Sequence, residues 1–209
     1  MTQNVSELWQ SLHDWARSAL GLDLTAAQID QLRRFVDTLQ LWNRRMALVS
    51  QHDVGAILNK HVADSLVAAA RCGMPRRIAD LGSGAGFPGI PLAILRPDAE
   101  VCLMESIGKK VSFLEEARRL AGVTNLTVFA GRIEHAWTLP AHQGAYDLVT
   151  ARALTDLGGL QTLAAPLLTT GGRLMAMRAA AAGAPPGSEV IPYDLPDDTP
   201  RELVILRSS

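Results

Sequence analysis

Residues 79–89 read Ala79-Asp80-Leu81-Gly82-Ser83-Gly84-Ala85-Gly86-Phe87-Pro88-Gly89, a glycine-rich turn placed where an apolar strand ends and a helix begins. Glycine reaches backbone angles closed to other residues and lets a ligand come close to the main chain, while the helix that follows presents free amides. Pro88 suits a first helical turn, where its missing N–H costs little. A purely structural turn does not need so many glycines in this setting, so a phosphate- or nucleoside-binding turn is expected. Gly84 to Gly89 also satisfies GxGxxG, which keeps a dinucleotide-dependent oxidoreductase in view. Asp80 weighs against it: two residues before the first glycine, its carboxylate can face the charged amino group of a methionine moiety, directly or through water, and would repel a pyrophosphate. The chain is also short of the second βαβ half and the separate substrate domain that a dehydrogenase commonly has. The expected cofactor is therefore S-adenosylmethionine.

The next strand ends in Leu103-Met104-Glu105-Ser106. Glu105 follows Gly84 by about twenty residues, the distance at which an acidic side chain accepts hydrogen bonds from ribose hydroxyls. A third strand end carries Gly131-Arg132-Ile133-Glu134, with Ile133 as an apolar border for an adenine and acceptors at or near Glu134.

Outward from the turn, the pattern after Arg76 alternates strands and helices, as a sheet with crossover connections requires. Strands are expected at Arg77 to Leu81, Val101 to Glu105, Leu126 to Ala130, Tyr146 to Ala151 and Arg173 to Arg178, with helices at Gly89 to Leu95, Lys109 to Ala121 and Asp156 to Leu167. Residues 179–187 are rich in Ala, Pro and Gly and read as a mobile loop, and Glu202 to Leu206 as a last strand able to pair antiparallel. Before residue 75 the pattern is helical. Leu8, Leu12 and Trp15 share a face, as do Ile29, Leu32, Phe35, Val36 and Leu39 behind an N-cap at Thr25, and a third helix is expected from Val54 to Cys72, closed by Gly73 and Pro75. The expected architecture is α/β: a Rossmann-like, mostly parallel sheet with helices on both faces, residues 75–209, and an N-terminal helical extension, residues 1–74, packed on that core as one compact unit.

With 48% apolar and 20% charged residues among 209, the chain can bury a core and is not of disordered composition. Cys72 and Cys102 stand alone, without metal-ligand spacing or disulfide density, and Cys102 reads as strand filling. No metal is expected. Neither a leader pattern nor a run able to cross a bilayer is visible, and a cytoplasmic location is expected. A net charge of −1 offers no global attraction for nucleic acid, so any such binding has to come from local pairs such as Arg44-Arg45 and Lys109-Lys110.

Several stretches, in order, resemble the RsmG (GidB) methyltransferases. They are Leu41-Trp42-Asn43, Lys60-His61-Val62-Ala63-Asp64-Ser65, the turn with Phe87-Pro88-Gly89-Ile90-Pro91-Leu92, Ser106-Ile107-Gly108-Lys109-Lys110 with Phe113-Leu114, and Ala151-Arg152-Ala153. The resemblance runs from about Leu41 to Arg178, with an echo at Arg201-Glu202-Leu203-Val204. It implies transfer of a methyl group from S-adenosylmethionine to N7 of a guanine in 16S ribosomal RNA, in the small ribosomal subunit or an assembly intermediate. A monomer is expected. The resemblance also implies a cofactor site that draws on Gly82, Phe87, Ile133, Glu134 and Arg152, beside Asp80, Gly84 and Glu105 read above, and substrate contacts near Asn43, Arg44, His61 and Lys109. The sequence departs from the family pattern at Ala47-Leu48-Val49 and at Arg178-Ala179.

His61, Asp64 and Ser65 fall on one helical face, as a substrate contact or as a latch between helix and sheet. Arg152, at a strand end, is placed for function, with a structural ion pair as the alternative. Trp9, Trp15, Trp42 and Trp137 can stack on bases or fill the core. Guanine N7 carries a lone pair and no proton, so no general base is required and no catalytic residue is named. A small-molecule or protein methyltransferase would share the cofactor signature, and a non-enzymatic RNA-binding module would need the turn to be vestigial.

Overall fold

The structure, a computed structural model, describes residues 4–51, 53–152, 154–180 and 183–208. Residues 1–3, Ala153 of the Ala151-Arg152-Ala153 stretch, and residues 181–182 of the 179–187 segment lie outside the described residues. Seven strands form one sheet: β1 (Arg77–Leu81), β2 (Glu100–Glu105), β3 (Leu126–Ala130), β4 (Tyr146–Arg152), β5 (Leu168–Ala179), β6 (Glu189–Asp194) and β7 (Pro200–Arg207). Their order is β3-β2-β1-β4-β5-β7-β6. β1 to β5 are parallel, and β7 pairs antiparallel with both β5 and β6. From β1 the chain runs outward to β2 and β3, then returns to β1's other side with β4. This makes β1 and β4 a switch point whose carboxyl ends open into a crevice, the usual place for a ligand in such sheets.

β1 and β4 are buried along most of their length, which is why they read as nearly continuous apolar runs. Successive residues divide between two cores. Ile78, Leu103, Leu148 and Met175 face one side, where they meet the N-terminal helices and two crossover helices, α5 (Gly89–Leu95) and α6 (Gly108–Ala121). Ala79, Leu81, Met104 and Val149 face the other, under α7 (Ile133–Ala136) and α8 (Leu157–Ala164).

The N-terminal helices begin where their caps put them. α1 (Val5–Leu20) opens on a reciprocal Asn4–Glu7 capping box, and α2 (Ala26–Met46) on Thr25 with Gln28, as the N-cap reading expected. α2 buries Leu32, Phe35, Val36 and Leu39, and Phe35→Ala would cost about 3–5 kcal/mol. It runs against α6 in the opposite sense, Gln31 reaching the Gly122 carbonyl and Trp42 lying edge-on to Phe113 at 5.8 Å. The end of α2 therefore sits at the carboxyl end of the sheet.

Four elements differ from the sequence reading. The helix expected from Val54 to Cys72 comes as α3 (Val54–Ile57), a π-helical turn (Leu58–Val62) and α4 (Ala63–Arg71). Such a wide turn leaves the 3.6-residue pattern nearly intact, and it carries Lys60 and His61. The helix expected to reach Leu167 stops at Ala164 and tightens into a 3-10 turn at Ala165–Leu167. β5 starts earlier than expected, and β6 was not anticipated: Pro192 breaks its strand pattern and confines it to an edge.

Candidate cofactor and substrate site

The glycine turn owes its shape to backbone conformation. Gly82, Gly84 and Gly86 have φ of 63°, 53° and 83°, the left-handed region costly for any side chain. The amides of Gly82 and Ser83 donate to the Met104 carbonyl at 2.9 and 3.2 Å, tying the turn to the end of β2. Glu105 completes the tie: one carboxylate oxygen accepts from the Gly84 amide at 3.0 Å, the other from the Ile107 amide at 2.9 Å. Gly89 admits no side chain, since a Cβ there would lie 2.2 Å from Leu103 Cδ2 and 2.8 Å from Asp80 Oδ2.

Asp80 lies wholly buried beneath this turn. The Thr150 hydroxyl donates to its Oδ1 at 3.1 Å, while Oδ2 has no hydrogen-bond partner, the Gly89 amide approaching without closing a bond. Burial pushes the Asp80 carboxyl up to about 6, against the opposing pull of Ser83, Thr150 and the Arg152 charge.

At the carboxyl ends of β1 to β4 a pocket of about 360 Å³ opens, in the size range of small-ligand sites. Its walls include Gly82, Glu105, Lys110, Ile133, Glu134 and Arg152, with Leu154 folded over Gly82. Five of the eight residues expected at the cofactor are thus on the wall. The other three do not line it: Asp80 lies under the turn, Gly84 has its amide committed to Glu105, and Phe87 is in the core against Phe35 at 5.0 Å and His61 at 5.3 Å. Any role of Phe87 at the pocket passes through its backbone or through Arg152, whose guanidinium lies 5.2 Å above its ring. An orphaned buried carboxylate oxygen, glycines that leave the main chain bare and an acidic strand end together fit a positively charged nucleoside such as S-adenosylmethionine.

Arg152 links this pocket to the N-terminal helices. Its guanidinium donates to His61 Nδ1 at 2.6 Å and stands 3.7 Å from Asp64. Because Nδ1 accepts, the proton of His61 is on Nε2, which donates to Gln51 Oε1 at 2.6 Å. Burial and the Arg152 charge push His61 down to about 3, so it is neutral with both nitrogens engaged. Burial also lowers Arg152, the carboxylates of Asp64 and Asp80 opposing that effect. Ser65, the third member of the expected cluster, turns back to the His61 carbonyl at 2.7 Å.

Asn43 stands behind this contact. Its carbonyl accepts from the Val49 amide at 2.9 Å and its amide reaches the Gln51 carbonyl, which shapes the segment that carries Gln51. Arg44 and Lys109 are exposed at the end of α2 and the start of α6. Beside Arg44 a second hollow, about 440 Å³, is lined by Leu41, Trp42, Arg44, Arg45 and Met46. The tryptophans serve packing: Trp9 is buried beneath Arg33, and Trp137 donates to the Leu163 carbonyl. Leu154 and Gln51 were not singled out from the sequence, and Lys110 was named there only as half of a basic pair for nucleic acid, not as a wall of the cofactor pocket. Lys110 was legible as a first-turn residue after the Glu105 strand, whereas Leu154 and Gln51 carried no local signal. Among the described residues no cluster of three metal-ligating side chains is found, and no helix is long and apolar enough to cross a membrane.

Comparison with known proteins agrees with this geometry. The family GidB, rRNA small subunit methyltransferase G, matches residues 28–184. Ribosomal RNA small subunit methyltransferase G of Roseiflexus castenholzii is 40% identical over 200 residues, covering 89% of this chain and 86% of its own. The protein of that name from Geobacter sp. strain M21 is 36% identical over 179 residues, covering 85% and 79%. In fold, the chain is similar to a putative O-methyltransferase from Klebsiella pneumoniae, with a TM-score of 0.60, 16% identity and coverage of 99% and 100%. It is similar as well to a cofactor-bound protein from MTB, with a TM-score of 0.63, 18% identity and full coverage of both chains.

Proposed function

Since the chain belongs to the rRNA small subunit methyltransferase G family, we propose that it transfers the methyl group of S-adenosylmethionine to N7 of a guanine in 16S ribosomal RNA. The observation that carries this reading is the pocket at the β1–β4 switch point, walled by Gly82, Glu105, Ile133, Glu134 and Arg152 and rimmed by unpaired cations. When bound, S-adenosylmethionine supplies an electrophilic methyl on a sulfonium. Gly82 leaves room for close approach, Glu105 accepts from the ribose while keeping the turn closed, and Ile133 and Glu134 border the adenine. Asp80 supplies negative charge below the turn, and Arg152 fixes the wall between cofactor and N-terminal helices.

The residues around the pocket suit an acceptor with no proton to lose. His61 is neutral with both nitrogens in hydrogen bonds, and Glu105 holds two amides. Catalysis then rests on orientation and on excluding water, with the N7 lone pair in line with the methyl.

The RNA is met by cations that the fold leaves free. Arg17, Arg34, Arg118, Arg119 and Arg178 are in ion pairs. Arg44, Arg45, Lys60, Lys109, Lys110 and Arg132 have none among the described residues, and all belong to the carboxyl rim of the sheet. Such a rim attracts phosphates although the whole chain carries −1. Arg44 and Lys109 contact substrate directly, Asn43 and His61 by shaping the surface. The helices of residues 1–74 and the sheet of 75–209 work as one unit, which a continuous apolar core between helices and sheet supports, and that unit acts as a monomer in the cytoplasm on the small subunit or an assembly intermediate.

The test is transfer of labelled methyl from S-adenosylmethionine to 30S particles lacking the modification, followed by digestion to nucleosides. Label in 7-methylguanosine is expected. Label in any other nucleoside, or in ribosomal protein, would overturn the assignment.

A further inference from the structure

The pair β6–β7 lies at the far edge of the sheet from β3, outside the pocket wall, yet a buried chain of polar groups joins it to Arg152. Tyr193 on β6 and Arg201 on β7 stand opposite each other in the register. Both reach Asp64, which is 1% exposed: the Tyr193 hydroxyl donates to Oδ1 at 2.5 Å and Arg201 donates to Oδ2 at 3.0 Å. Arg152 approaches that same Oδ2 at 3.7 Å. One carboxylate therefore serves two guanidinium groups and a phenol, and it sits closer to Arg201 than to the arginine on the pocket wall.

We infer that Tyr193 and Arg201 are positioning residues for the cofactor pocket, acting through Asp64 to hold the Arg152 guanidinium on its wall. Asp64 has limited freedom, because each oxygen is engaged from the β6–β7 side. With both bonds in place, Arg152 is drawn toward Asp64 without collapsing onto it, and its remaining restraints are the His61 nitrogen at 2.6 Å and the Phe87 ring. Loss of the Tyr193 hydroxyl or of the Arg201 charge frees Asp64 to close on Arg152 and take the guanidinium off the wall. A buried charge deprived of one partner satisfies itself with the nearest other, since leaving it unpaired is costly. The plain alternative is that these groups only fasten the edge strands. In that case their loss would lower stability and leave the pocket unchanged.

The inference rests on the cofactor reading of the pocket, and titration calorimetry with S-adenosylhomocysteine on the full chain separates the two. The variants are Tyr193→Phe, Arg201→Met, Arg201→Lys and, as a control on the same strand pair, Ile191→Ala, each with its thermal unfolding recorded. Ile191 packs on the same core as Tyr193, two residues along the same strand face, but its aliphatic side chain makes no bond to Asp64, so its truncation loosens edge packing alone. Tyr193→Phe is expected to bind about 3- to 10-fold more weakly than wild type, and Arg201→Met about 10-fold or more, as lost hydrogen bonds to a charged group predict. Arg201→Lys, which keeps a charge near Oδ2, should recover most of the affinity, and Ile191→Ala should lose stability with unchanged affinity. Should Arg201→Met fail to fold, Tyr193→Phe, which keeps the ring, decides the matter alone. Wild-type affinity in folded Tyr193→Phe would overturn the inference while leaving the cofactor site intact. A wild-type protein that binds no S-adenosylhomocysteine would overturn the cofactor reading and the inference with it.

Discussion

Two aspartates stand at opposite ends of the central strands and are used in opposite ways. At the amino end Asp147 accepts the amides of Arg76 and Arg77 at 2.8 and 3.0 Å. Near it Arg77 pairs with Glu100 and lies over the Tyr146 ring, and the Asn125 amide serves the carbonyls of Ala93, Arg96 and Ala99. At the carboxyl end Asp80 is wholly buried and keeps one oxygen unpartnered, below a turn of left-handed glycines and beside unpaired cations. A buried unmet acceptor costs about 1–3 kcal/mol. The amino end is finished as a structure; the carboxyl end is completed by what it binds.

Glu105→Ala tests the working end most severely, because it removes acceptors for a ribose and releases the Gly84 and Ile107 amides together. Cofactor affinity should fall by about 1.5–3 kcal/mol, roughly 10- to 150-fold. Calorimetry showing wild-type affinity in a folded variant would take Glu105 out of the site. Asp147→Ala is the mirror experiment. It also frees two amides, and should cost about 1–3 kcal/mol in urea unfolding while cofactor affinity stays within experimental error. Weakened binding in that variant would erase the division between the ends.

A smaller effect concerns pH. His61 is held down to about 3, so its contribution to stability is present above its unfolded value of 6.5 and is lost as pH falls toward 3. Asp80, raised to about 6 from 3.8, acts in the other sense: its contribution is present below 3.8 and lost as pH rises through 6. Between about pH 4 and 6 the two oppose each other. His61→Asn removes only the first, so its unfolding free energy should rise less steeply with pH than wild type, by up to about 1.4 kcal/mol per unit. Parallel slopes from pH 4.5 to 6.5 would mean that His61 is not held neutral. The smallest expected change is in salt dependence. Replacing Arg44 and Arg45 by Ala should lower the slope of log affinity for RNA against log salt by about 1 for each phosphate no longer neutralised. An unchanged slope would place the RNA elsewhere.

The sequence showed the two ends unequally. The glycine turn, Glu105 and Arg152 were legible because each closes a strand of strong apolar pattern, and position along a strand fixes which end of the sheet a residue occupies. Asp80's burial was not legible, since the same spacing allows a carboxylate that faces ligand and one tucked beneath the turn. Phe87 and Asn43 looked like contact residues and are placed in the core, because a motif records which residues occur together and not which way side chains turn. The π-helical turn escaped a reading based on 3.6-residue periodicity, and β6 was hidden by Pro192 and its exposed alternate positions. A latch from the Asp64 helix to the sheet was one of the two readings its helical face allowed, but the partners that make it, Tyr193 and Arg201, lie more than 120 residues away and carry no local signal.

In the proposed reaction the carboxyl end orients a cofactor methyl toward an acceptor with no proton to lose, His61 serving as a neutral support. Single-turnover methyl transfer to 30S particles, at saturating cofactor and RNA, measures this directly across about pH 6 to 8.5. The rate should vary little over that range, and His61→Ala should lower it without altering the shape of the profile. A steep acidic limb in wild type that disappears in His61→Ala would show the histidine taking a proton, and would contradict N7 as the methylated atom.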